Sequence, residues 1–322
     1  MNSKDYMILR VVELYYKQEI GQQEISQMLG ISRPTVSKMI QEAKKRNIIT
    51  FNINTPIELN YELSNILKKK FKLKDVLVVK GNEENSNEVM KKVSHVAARF
   101  LISLINSEDR VGISWGKSIK QVVDSIPDTD LTDIRVIQIV GSLGSGDPAV
   151  DGPELVYKLA RKLNGEYKYI NSPAIVSDEQ VKNFLLNQNQ IQKTLSEANE
   201  CQTVLMGFGS LSEEFSSMQR SGYLDTETKN KYIEKGAVGH ILAQMIDNKG
   251  NPVSLQNNHV IGVNLDSLRR KKWSIGIVSQ SFKYDITLAA IQGGYVNSLV
   301  IDEYTAINVL SSYKNNNYLE VT

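Results

Sequence analysis

At 322 residues, with 41% hydrophobic and 23% charged side chains, the chain can fill a packed core and is too long for one small module, so neither disorder nor a stapled mini-fold is expected. Its longest apolar runs, such as residues 134–140 with Arg135 and Gln138 inside, are too short to span a bilayer, which excludes an integral helical membrane protein. The formal charge of +2 hides an asymmetry: residues 1–56 hold eight Lys/Arg against five Asp/Glu, and the remainder holds 30 basic against 31 acidic residues. A head that meets phosphates and a body that does not would have this distribution. Residues 1–5 lead into an amphipathic pattern without an apolar signal core, and the single cysteine, Cys201, allows no internal disulfide. A cytoplasmic protein is the expectation.

In chain order, the apolar spacing of Met7, Ile8, Val11, Val12, Leu14 and Tyr15 predicts a supporting helix over residues 5–17. A short helix over 22–29 follows, with Ile25 and Leu29 on one face. Gly30 suits a left-handed position at its end, and Ile31 can plug the angle between two helices. Ser32 is a good N-cap for a third helix, and Pro34 falls in the first turn, where a missing N–H is harmless. Short helix, tight turn and capped second helix form a helix-turn-helix, whose second helix enters the DNA major groove by its N-terminal end. There Arg33 and Lys38 can donate to guanine O6/N7 or to phosphate, Thr35 and Ser37 can reach bases or backbone, and Gln22 and Gln23 are placed for phosphate contacts. Residues 47–53 read as a strand pair, a candidate wing, and Pro56 ends the head. The division is therefore 1–56, a DNA-binding head, and 57–322, an effector-binding and oligomerisation body.

Beyond Pro56, helix-period and strand-period segments alternate: helix 58–71, strand 75–79, helix 86–105, strand 110–114, helix 117–126, strand 135–140, and so on to the end. This predicts an α/β fold with a mostly parallel sheet covered on both faces, whose ligands sit at the carboxyl ends of strands. Four glycine-rich stretches, at 112–116, 141–146, 207–210 and 236–239, suggest places where backbone N–H groups approach an anion closely.

The stretches QEISQMLGISRPTVSK (residues 23–38), VGISWG (111–116), GFGS (207–210), GAVG (236–239), DNKG (247–250) and VIDEYTA (300–306) occur in this order across nearly the whole chain. In them the sequence resembles the SorC family of sugar-responsive bacterial transcriptional regulators. That resemblance implies a body related in fold to ribose-5-phosphate isomerase and glucosamine-phosphate isomerase, a phosphorylated-sugar effector, and tetrameric binding to double-stranded operator DNA. It implies Lys283 as the effector-site lysine; Gly116, Lys117, Ser118, Gly141, Gly207 and Gly209 would add contacts, with His240 and Asp302 available for sugar hydroxyls. The chain departs from the family pattern at Val278-Ser279-Gln280, where an Ala-Gly-Gly is usual, at His240, where an acidic residue is common, and at Val140, where some relatives carry Lys or Arg.

Other chemistry has thinner support. His95, His240 and His259 are scattered and Cys201 reads as a buried structural thiol, so neither a metal nor another cofactor is expected. Residues 207–210 lack a nucleophile elbow. The serious alternative is a sugar-phosphate isomerase-type enzyme carrying a DNA-binding head, with Asp302-Glu303 at a strand end. The head favours a sensor over a catalyst. Because one helix-turn-helix reads only a few base pairs, at least a dimer is expected on the operator.

Overall fold

Apolar spacing and two end signals set the head. In the computed structural model, which describes residues 3–49, 57–81, 86–144, 146–211 and 217–319, the chain divides into two compact units, 1–56 and 57–322. In the first, α1 (Ser3–Val12) buries Ile8, Val11 and Val12, and α2 (Gln22–Leu29) buries Ile25. The supporting helix does not run regularly to Lys17 as predicted, because Glu13–Lys17 widens into a π turn. Gly30 ends α2 at φ 65°, left-handed backbone that favours glycine. The Ser32 hydroxyl accepts the Thr35 N–H and starts α3 (Arg33–Lys45), while Ile31 packs on the cluster of Val11, Leu14, Ile25, Val36 and Ile40. Arg46 reaches back to Asp5 at 2.8 Å and holds that carboxyl below its usual range. Residues 47–49 form a turn and a bend; the rest of the expected strand pair lies outside the described residues.

The second unit is built by alternation. Asn60 caps α4 (Tyr61–Lys70), then follow β1 (Asp75–Val79), α5 (Ser86–Leu104), β2 (Arg110–Ile113), α6 (Lys117–Asp124), β3 (Arg135–Gln138), α7 (Gly152–Lys162) and β4 (Glu166–Lys168). Next come β5 (Ile175–Val176), α8 (Glu179–Leu186), α9 (Asn189–Glu200), β6 (Thr203–Ser210), α10 (Ser217–Arg220), α11 (Thr226–Glu234), β7 (Ala237–Ile241) and β8 (Gln244–Asp247). The chain closes with β9 (His259–Val260), α12 (Leu265–Leu268), β10 (Trp273–Val278), α13 (Tyr284–Gln292), β11 (Ser298–Asp302) and α14 (Glu303–Leu319). Strands β1-β11-β10-β6-β2-β3-β4 lie in that order and all pair in parallel, while β5 and β9 form a separate two-stranded sheet.

Two features place the site. After β2 the chain moves outward to β3 and β4, whereas after β6 it moves the other way to β10 and β11, so the strand order reverses between adjacent strands β2 and β6. A crevice opens at the carboxyl ends of strands at such a reversal. Strand β6 is also long: residues 203–207 pair with the parallel sheet and 208–210 pair antiparallel with β7. The β7–β8 turn puts Leu242 and Ala243 at φ 50° and 62°, without the glycine or asparagine such a turn favours; both are buried, and packing holds them there. The DNKG stretch is structural: Asp247 accepts N–H groups of Lys249 and Asn251, and Gly250 at φ 84° lies too close to Gly293 for a side chain. No helix among the described residues is long and apolar enough to cross a membrane.

Candidate functional site

At the β2/β6 reversal, the connections that follow β1, β2, β6 and β10 enclose a cavity of about 380 Å³. From β2 come Trp115, Gly116, Lys117 and Ser118. The indole N–H donates to the Gly141 carbonyl at 2.9 Å and fixes the wall, and Gly116 at φ 113° swings the chain into α6 without capping it by a side chain. The first-turn N–H groups of α6 therefore keep their donor capacity at the cavity. From β6 come Gly207 and Gly209, and from β7 comes His240.

Lys283 enters from a 3-10 turn (Ser281–Lys283) that leads into α13, after Gln280. Its ammonium lies 5.9 Å from the Phe282 ring and has no carboxylate partner among the described residues. Burial, helped by repulsion from Arg220, pushes it down to about 8. His240 is fully enclosed, and neither ring nitrogen has a hydrogen-bond partner among the described residues. Burial, with Lys283 adding repulsion, pushes its imidazole down to about 4, so it is neutral at pH 7. Among the described residues, a cation without a carboxylate partner and a neutral imidazole without a hydrogen-bond partner thus line one solvent-connected cleft. An anion carrying hydroxyl groups would satisfy both.

Seven of the nine expected effector residues thus share this cavity: Gly116, Lys117, Ser118, Gly207, Gly209, His240 and Lys283. Gly141 and Asp302 do not line it. A Cβ on Gly141 would fall 2.3 Å from the Pro173 carbonyl oxygen, so this glycine serves close packing beneath the wall. The Asp302 carboxylate accepts the Thr305 N–H and hydroxyl at the start of α14 and lies against a side cavity of about 40 Å³. Glu303 accepts from the Asn60 amide at 2.6 Å, so the Asp-Glu pair is engaged elsewhere. Among the departures from the family pattern, Val140 is buried, and Ser279 is buried with a hydroxyl that has no hydrogen-bond partner among the described residues.

Ser86 and Asn87 at the start of α5, Gln121 on α6 and Arg220 on the four-residue α10 are among the further polar lining residues, and sequence reasoning missed them. None sits in a motif. Their shared signal is placement after strands β1, β2 and β6, and it becomes readable only once strand order is known. Among the described lining residues there is no carboxylate, and no group of His, Cys, Asp and Glu among the described residues is arranged to hold a metal. Cys201 is buried at the end of α9, where burial pushes its thiol up to about 12.

In the head, Gln23, Arg33 and Lys38 are exposed and Gln22, Thr35 and Ser37 partly so, along the N-terminal ends of α2 and α3. Arg33 and Lys38 make no ion pair among the described residues; the Thr35 hydroxyl is hydrogen-bonded to that of Ser32 at 2.8 Å. Two cations without an ion pair among the described residues thus lie at the exposed start of a capped helix, with the Ser37 hydroxyl beside them.

Comparison with known proteins finds two family matches along the chain. Residues 55–311 match the family described as "Putative sugar-binding domain", and residues 1–50 match the winged helix-turn-helix DNA-binding family. The deoxyribonucleoside regulator of Bacillus subtilis is 28% identical over 304 residues, covering 94% of this chain and 96% of that protein. The sorbitol operon regulator of Klebsiella pneumoniae is 26% identical over 309 residues, covering 95% and 98%. The crystal structure of that full-length regulator superposes with a TM-score of 0.71 at 24% identity, covering 96% of this chain and 100% of that one.

Proposed function

Because the chain belongs to the SorC family of transcriptional regulators, in which a helix-turn-helix is joined to a sugar-binding domain, we propose that it binds double-stranded operator DNA through residues 1–56 and a phosphorylated sugar in the cavity at the β2/β6 reversal. The observation that carries the ligand class is Lys283, a half-buried ammonium without a carboxylate partner among the described residues, facing the uncapped start of α6. A phosphate monoester supplies the missing countercharge and accepts the open N–H groups, and its sugar hydroxyls meet the unpartnered His240 ring. Arg33 and Lys38 supply base or phosphate contacts in the major groove, with Gln22, Gln23, Thr35 and Ser37 beside them. The working species is a cytoplasmic homo-oligomer, since one short recognition helix gives too little specificity alone.

A regulator is favoured over an isomerase because the described cavity lining lacks a carboxylate and Asp302-Glu303 is engaged away from it. The test is a thermal-shift screen of hexose and pentose monophosphates beside the free sugars, followed by operator gel shifts with whichever compound responds. A monophosphate at a hundredfold over its Kd should stabilise the protein by about 2.7 kcal/mol and change operator affinity, with no turnover. Equal response to free sugars and phosphates would remove Lys283 from the site; conversion of the sugar by the purified protein would make it an enzyme.

A further inference from the structure

Strand β4 closes one end of the parallel sheet and pairs only with β3 among the described residues. In a parallel ladder, alternate residues of an edge strand bond inward and outward. The Glu166 N–H reaches the Ile134 carbonyl, so the N–H and C=O of Tyr167 point away from β3, and neither has a partner among the described residues. Beside this open edge Tyr157, Tyr167 and Tyr169 form one aromatic patch, 41%, 45% and 44% exposed, with centroids 5.4 Å apart for Tyr157–Tyr167 and 6.5 Å for Tyr167–Tyr169. Exposed edge backbone flanked by tyrosines is an unstable surface to leave uncovered and a favourable one to dock.

We propose that the β4 edge is a two-fold docking surface for a second copy of this chain, with the two β4 strands antiparallel and Tyr167 opposite Tyr167. The argument for this occupant is charge self-complementarity. Glu166 and Lys168 flank Tyr167 on the other face of the strand; in this register Glu166 of each copy stands opposite Lys168 of the other, the side-chain pair that comes closest in an antiparallel ladder. Arg135 lies 3.7 Å from Glu166, and Glu197 pairs with Lys168, so the two-fold contact would join these into one row of alternating charge. The tyrosines meet on the face that carries Tyr157 of α7. The inference rests on the self-association proposed above and is independent of the ligand.

Sedimentation velocity of the full chain tests it. Tyr167→Pro removes the outward N–H and leaves the β3–β4 ladder whole, because that N–H takes no part in it. This variant should halve the mass of the parent species with an unchanged circular dichroism spectrum. Glu166→Lys and Lys168→Glu each place like charges opposite one another and should do the same alone. Mixed in equal amounts they should recover the parent mass, since one copy then presents two lysines and the other two glutamates. That recovery cannot come from a fault within one subunit, and it decides the matter even where Tyr167→Pro folds poorly. An oligomeric parent whose mass none of the variants changes, or single variants that fail to recover on mixing, would overturn this surface while leaving self-association standing. A parent that stays monomeric would overturn both.

Discussion

The His240 imidazole on β7 occupies the space that a side chain would need at Gly209 on β6: a Cβ there would lie 1.8 Å from Nε2. The glycine is thus required by the neighbour that faces the cavity. Gly209→Ala should displace the ring, lower stability by about 1–3 kcal/mol and weaken phosphosugar binding. In a His240→Ala background the same methyl has room, so calorimetry should show most of the destabilisation gone. An identical effect in both backgrounds would separate the two residues.

Acid sensitivity follows from the same ring. Its folded value is about 4 against an ordinary 6.5, so between these the unfolded chain takes the proton and the native state does not. Native stability therefore falls as pH drops from about 6.5 to 4, by about 3 kcal/mol from this group. Lys283, the charged group facing it across the cavity, opposes protonation, and Trp115 packs beside it without titrating. His240→Gln should flatten the melting-temperature profile over that window relative to the parent; parallel profiles would mean that the ring is not buried neutral.

Lys283 should show opposite effects with and without ligand. Its charge is held against burial, so Lys283→Met should raise the melting temperature of the ligand-free protein while abolishing the shift produced by a sugar monophosphate. Operator affinity without ligand should be unchanged. In the parent, monophosphate binding should weaken as pH rises through about 8, where the free ammonium loses its proton. An effector titration of Lys283→Met that overlays the parent's would leave the anion site unassigned.

Replacing both Arg33 and Lys38 with Ala should weaken specific operator binding by roughly 1–3 kcal/mol for each side chain that hydrogen-bonds a base. Neither side chain supports the head's core, so the melting temperature should hold. If Lys38→Ala alone only reduces the salt dependence of binding, that lysine meets phosphate. Unchanged operator affinity in the double variant would remove α3 from the DNA interface.

The head was legible because its determinants are local. A left-handed position at Gly30, a cap at Ser32 and apolar residues at helical spacing act within a few residues of one another, and each lies where the local pattern puts it. The alternation of the body was legible for the same reason: it expresses periodicity along single segments. The cavity lining depends instead on which strands are neighbours. Arg220 and Gln121 became part of it only because the strand order reverses between β2 and β6, and His240 reached it only because β6 runs past the parallel sheet to pair with β7. Conversely Asp302 and Gly141, both at or just beyond strand ends in sequence, are taken up by Thr305 and Pro173. Sequence determined the elements and the residue types through local backbone preference and burial; long-range packing alone decided which side chains share one cleft.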